Sequence, residues 1–198
     1  MKKLILIAVV SLFSLSSFAQ EGLQGTLWVA GQVSFGSEKT GDVKSTSNMI
    51  LPIVGYFTSP SVSLGLGVGS ISNKSEIGSL TTAESNTFVV KPLVRKYWNV
   101  SGNLYFYGQA ALPVMFGKDK ISDDKMSSFG LEVSPGFDYI VNKWLTVETS
   151  FTILNVNSTT TTPDVGDKTT EFNFNANPMN SVADRTFGNL QVGVKFLF

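Results

Sequence analysis

Six ionisable side chains carry whatever chemistry this chain could do: Lys91, Arg95, Glu132, Asp138, Glu148 and Lys195. Each lies in a segment where apolar and polar residues alternate, and each takes the polar parity, so all six share one face of their elements. Three are cationic and three anionic. Glu132 and Glu148 have the right groups for general acid–base work. Alternation alone already accounts for their placement, and the chain contains neither His nor Cys. That composition excludes Ser-His-Asp and Cys-His nucleophile systems and the usual ligand sets for zinc, copper, haem and iron–sulfur centres. No catalytic residue, cofactor site or metal site is assigned.

The elements that position these six are strands. Sustained 3.6-residue periodicity is absent and period-two alternation dominates. In Thr26–Gly36 the odd positions Leu27, Val29, Gly31, Val33 and Phe35 oppose Trp28, Ala30, Gln32 and Ser34. Similar stretches are Ser47–Phe57, Val62–Ser72, Asn86–Trp98, Leu104–Phe116, Ser128–Val141, Trp144–Leu154 and Phe187–Phe198, making eight. Each has about the length of a tilted membrane strand. Connections alternate between short (Thr58–Ser61, Asn99–Asn103, Asn142–Lys143) and long (Ser37–Thr46, Asn73–Ser85, Gly117–Ser127, Asn155–Thr186). The pattern predicts an all-β fold: an eight-stranded antiparallel up-and-down transmembrane β-barrel with short periplasmic turns and long extracellular loops. The last loop, with Ser158 to Thr162 ahead of Pro163, reads as low-complexity.

Charged residues make up only 15% of the 198 positions, against about 25% in soluble domains. Lys+Arg and Asp+Glu balance at 15 each, which excludes nucleic acid as a main partner. A soluble sheet shows Lys and Glu on its polar face; this chain shows Ser, Thr, Gly, Gln, Asn and Ala, so a lipocalin-like soluble barrel is the weaker reading. Aromatic residues are expected in two belts on the apolar face. Phe35, Phe88, Phe116 and Phe129 would lie near the loop end, and Phe57, Trp98, Phe137, Tyr139 and Phe198 near the turn end. Residues 1–19 read as a signal peptide, with Lys2 and Lys3, an apolar run from Leu4 to Leu15, and Ser17-Phe18-Ala19 before the expected cleavage. Residues 20–198 form the barrel domain, exported and bounded by outer-membrane lipid.

An eight-stranded barrel has an interior just wide enough for side chains to fill it. Charges confined there must pair or carry a severe desolvation penalty. The six inward charges are therefore expected to form a structural ion-pair network, with Arg95, Asp138, Glu148 and Lys195 at similar heights and Lys91 and Glu132 above them. A gate or a small-ion path is the functional alternative. Gly65, Gly67 and Gly69 precede no helix, so they read as small lumen positions beside bulky residues such as Tyr56 and Tyr105, not as a phosphate loop. Lys96 is the strand charge with outward parity, placed to snorkel beside Trp98. Asp164, Asp167 and Glu171 do not have EF-hand spacing and read as a solvated loop. Phe172 and Phe174 read as an extension of the last hairpin.

The chain also resembles the small outer membrane β-barrel protein family common in Bacteroidetes ("porin family"), similar in architecture to OmpX and the OmpA membrane domain. The resemblance rests on Leu51-Pro52-Ile53-Val54-Gly55-Tyr56-Phe57 followed by Leu64-Gly65-Leu66-Gly67. It continues in Lys91-Pro92-Leu93-Val94-Arg95-Lys96-Tyr97 and Ser134-Pro135-Gly136-Phe137-Asp138-Tyr139. It implies location in the outer membrane of a Gram-negative bacterium. It also implies that Phe196 and Phe198 in the final strand serve as a signal to the outer-membrane assembly machinery. Lipid-modifying enzymes on eight-stranded barrels use a catalytic His, which this chain lacks, so no enzymatic activity is expected. The implied role is envelope-structural or surface-presenting. A narrow porin-type channel and an adhesion module acting through Asn155–Thr186 are the alternatives, with no external ligand named.

Overall fold

The computed structural model describes residues 23–176 and 191–198. The expected signal peptide and residues 187–190 of the last expected strand lie outside the described residues. The strands are β1 (Leu27–Thr40), β2 (Val43–Ser59), β3 (Val62–Ile77), β4 (Leu80–Ser101), β5 (Leu104–Ala111), β6 (Val114–Asp119), β7 (Lys125–Asn142), β8 (Leu145–Ser150), β9 (Leu154–Thr162), β10 (Thr169–Asn175) and β11 (Gln191–Leu197). They make a closed antiparallel barrel of eight staves. Among the described residues, three staves are each built from two strands. Pro113, which has no N–H to give, separates β5 from β6, yet both pair with β4 and β7. β8 and β9 both run along β7, joined by the N–H groups of Phe151 and Ile153 donating to Pro135 O (3.1 Å) and Val133 O (2.9 Å). β10 pairs with β9 and β11 with β8. β11 then closes on β1, where Trp28, Val29 and Ala30 face Leu197, Phe196 and Lys195.

The long connections differ from expectation: their flanks are paired strand. β1 and β2 stay in register to Thr40 opposite Val43, turning at Gly41 with φ +61°. β3 and β4 hold to Ile77 opposite Leu80, turning at Gly78 with φ +60°. β9 and β10 remain paired to Thr161 opposite Thr169. The run Ser158–Thr162 is thus strand, as suits β-branched threonine, and not a low-complexity connection. Hydrophobic alternation ends where both faces of a hairpin meet water, although the ladder continues.

Inside and outside follow the expected parity on most staves. Leu27, Val29, Val33 and Phe35 face outward, while Trp28 and Ala30 are buried in the lumen. The belt residues Phe88, Phe116, Phe129, Phe137, Tyr139 and Phe198 are exposed on the outer surface. β2 is the correction. Phe57 is buried in the lumen and Tyr56 is exposed, the reverse of the expected assignment. Both faces of this strand are apolar, with Leu51, Ile53 and Phe57 inside and Ile50, Val54 and Tyr56 outside. Its parity therefore could not be read from polarity, and a one-residue slip exchanges the two faces.

Candidate functional site

The lumen fills in tiers from the turn end. In the lower lumen runs a chain of rings, Phe57–Tyr97–Tyr107, with successive centroids 5.3 and 5.5 Å apart. Beside it, strand register creates an electrostatic problem. Asp138 on β7 lies directly opposite Glu148 on β8, and like charges so placed repel. Two cations resolve it. Lys195, from β11 beside β8, donates to Asp138 and lies 3.9 Å from Glu148 Oε2. Arg95, from β4 across the lumen, donates to Glu148 through both terminal nitrogens at 2.7 and 3.3 Å. Its Nε donates to Gln109 Oε1 at 2.8 Å, the residue facing it in the β4–β5 register. The fork geometry of guanidinium suits this three-bond grip.

Trp28 divides the two cations. Its ring lies 4.7 Å from the Arg95 guanidinium carbon and 5.8 Å from the Lys195 nitrogen, and Tyr107 contacts Arg95 at 4.9 Å. These are cation–π distances. The indole is fully buried, and glycine makes room for it. A Cβ on Gly55 would stand 2.1 Å from Trp28 Cε2, and one on Gly65 would stand 3.1 Å from Cζ2. Gly65 and Gly67 face the lumen against Leu93 and Leu51 respectively, while a Cβ on Gly69 would strike β2 backbone at Ile50 O, 2.1 Å away.

The third pair stands higher, where Lys91 Nζ donates to both Glu132 oxygens at 2.9 Å. Ser134 Oγ donates to Glu132 Oε1 at 3.2 Å. The six inward charges thus meet as two coupled pairs with one pair above. Lys91, Arg95, Asp138 and Lys195 are buried, and the side chains of Glu132 and Glu148 keep 15% and 14% exposure. Two cavities lie beside the pairs. One of about 370 Å³ is bounded by Arg95, Gln109 and Glu148 below Gln32, Met49 and Ser150. The other, of about 160 Å³, borders Lys91 and Glu132.

Sequence reading missed Trp28, Phe57, Tyr97, Tyr107 and Gln109 as members of this site. A signal existed for three of them. Tyr97 has the same parity as Lys91 and Arg95 on one strand, and Tyr107 and Gln109 share the inward parity of β5 with Tyr105. Lys96 lies on the outer face and donates to Ser61 Oγ at 2.7 Å. Phe172 and Phe174 are exposed on the β9–β10 hairpin. Among the described residues no group of three or more Asp or Glu is placed to hold a metal ion. Phe196 and Phe198 point outward, and Phe196 stacks on Trp144 at 6.0 Å with planes 3° apart.

A family model described as "Outer membrane protein beta-barrel domain" matches residues 5–178. No curated protein matches the chain. Among solved structures, the chain is similar to the crystal structure of the outer membrane protein OprG from Pseudomonas aeruginosa. Identity is 14% over 89% of this chain and 97% of that one, with a TM-score of 0.46.

Proposed function

This chain belongs to the outer membrane protein β-barrel domain family, and from that premise we propose that it is a non-enzymatic barrel whose lumen is closed by its internal ion pairs. Its work is then mechanical and presentational: it anchors in lipid and carries the paired hairpins β1–β2, β3–β4, β6–β7 and β9–β10 to the outside. Phe196 and Phe198 offer the outward aromatic face that assembly machinery would read during insertion, after export and removal of residues 1–19. The observation that carries the closed-lumen reading is Arg95. Its guanidinium crosses the lumen to Glu148, is held by Gln109 and is flanked by Trp28 and Tyr107. A buried charge with this many partners leaves little path for a hydrated ion.

Vesicles of phosphatidylcholine loaded with potassium chloride test it. The full chain, refolded into them, is expected to release potassium no faster than protein-free vesicles; sustained efflux would overturn the closed lumen. The second reading is a narrow channel for ions or small solutes, and the 370 Å³ cavity above Arg95 favours it. Efflux from the unmodified chain that is also selective by ion charge is the signature of that reading.

A further inference from the structure

The β1–β2 hairpin carries two cations that form no ion pair among the described residues. Lys39 and Lys44 are directly opposite one another in a register unbroken from Leu27–Tyr56 to Thr40–Val43. Alternation along that register puts both on the outward face that carries Val33, Phe35 and Ile50. Like charges facing each other on one side of a sheet are unfavourable, and relief is partial: Lys44 attracts the Glu76 carboxylate across the β2–β3 ladder without forming an ion pair with it. Glu76, opposite Lys44 on β3, is held by Lys74 at 2.5 Å. Lys120 takes Glu84 and Lys118 takes Asp123, each at 2.5 Å. Among the described residues no carboxylate lies within ion-pair distance of Lys39 or Lys44.

Their height gives the pair a use. Lys39 is four residues beyond Phe35 on β1, about 13 Å along the strand and about 10 Å of rise at a tilt of about 40°. Phe35 is 72% exposed and belongs to the belt that marks where hydrocarbon meets headgroups. The headgroup layer is about 5–8 Å deep on each side, and a lysine stem lets its ammonium snorkel along the surface. The backbone there stands just beyond the outer edge of the headgroup layer, and a lysine stem of about 6 Å turned toward the membrane brings each ammonium group to the depth of headgroup phosphates.

We propose that Lys39 and Lys44 form a clamp for a phosphate group on a lipid of the outer leaflet. One phosphate set between the two ammonium groups accepts charge-assisted hydrogen bonds from both and converts their repulsion into joint attraction. The clamp rests on the membrane placement of the barrel and is independent of the closed lumen.

The test uses the full chain in phosphatidylcholine nanodiscs doped with bis-phosphorylated lipid A or with the same lipid dephosphorylated, read by native mass spectrometry. The unmodified protein is expected to retain the phosphorylated form with a preference of about tenfold. Lys39→Gln/Lys44→Gln is expected to lose that preference, and Lys168→Gln, on the exposed β9–β10 connection, to keep it. Heat-modifiable electrophoretic mobility reports insertion in every case. A preference that survives in the double variant, or that is absent in an inserted unmodified protein, overturns the clamp. Release of the lipid by millimolar inorganic phosphate overturns the assignment to a lipid source. An unmodified chain that fails to insert refutes the membrane placement itself.

Discussion

Arg95→Ala is the perturbation that tests the proposed closed lumen most severely. The substitution deletes the bonds to Glu148 at 2.7 and 3.3 Å and the bond to Gln109 at 2.8 Å, and removes the cation from the faces of Trp28 and Tyr107. Glu148 is left beside Asp138 with only Lys195, 3.9 Å away, to balance two carboxylates. Breaking a buried pair costs about 3–5 kcal/mol. Glu148 keeps 14% side-chain exposure and borders the 370 Å³ cavity, where water can hydrate it. The lower end therefore applies: about 3 kcal/mol, or roughly a hundredfold in the folding equilibrium. Urea titration of the refolded barrel in vesicles, followed by the heat-modifiable electrophoretic shift and by tryptophan emission, measures it. Adding Glu148→Ala removes the orphaned charge and should return at least about 1 kcal/mol relative to additivity, as expected for directly coupled sites. A loss within about 0.5 kcal/mol for Arg95→Ala, or a strictly additive double variant, would refute the reasoning.

Three further outcomes are expected. Val194→Arg places a charge on the lipid-facing side of β11 and should cost about 2–4 kcal/mol, whereas Gly193→Ala, whose new Cβ meets Glu148 Cγ at an ordinary 3.8 Å, should be nearly neutral; equal tolerance of the two in lipid refolding would invert the inside–outside assignment. Gly55→Ala drives a methyl into Trp28 and should cost about 1–3 kcal/mol by overpacking, largely recovered by adding Trp28→Phe; urea midpoints decide it, and an unaffected Gly55→Ala would mean the indole is not seated there. The exposed β6–β7 turn should loosen in acid. Asp119 accepts backbone N–H bonds from Ser122 and Ile121, which hold its carboxyl below the ordinary 3.8. A depressed folded pKa gives stabilisation that is present above the unfolded value and lost as pH falls through the folded one. Amide exchange at Ile121 and Ser122, corrected for its intrinsic pH dependence, should therefore gain speed below the ordinary carboxylate range, and Asp119→Ala should abolish that gain.

Legibility in the sequence followed contrast between faces. Where one face was apolar and the other polar, as in β1, β4, β7 and β11, parity placed Lys91, Arg95, Glu132, Asp138 and Lys195 on the lumen side, where the structure has them. β2 offered no contrast because its inner face is also apolar, packing Leu51, Ile53 and Phe57 into the lumen. The hairpin flanks were invisible for a related reason: beyond the bilayer neither face needs to be apolar, so Thr159 to Thr162 pair as strand without alternating. Individual ion pairs depended on stagger between staves. That Lys195 would reach both carboxylates, and Arg95 only Glu148, follows from registers such as Lys195 opposite Thr146 and Asp138 opposite Glu148, which no single strand encodes. Trp28 was read as a residue of the polar face, and its place between two cations became visible only with the glycines that admit it.

Planar-bilayer recording on the refolded full chain tests the closed lumen most directly. The unmodified protein should insert, by electrophoretic shift, and pass no steady current, while Arg95→Ala should admit small, flickering steps through the vacated volume. Large, stable, ion-selective currents from the unmodified protein, unchanged in Arg95→Ala, would contradict the account.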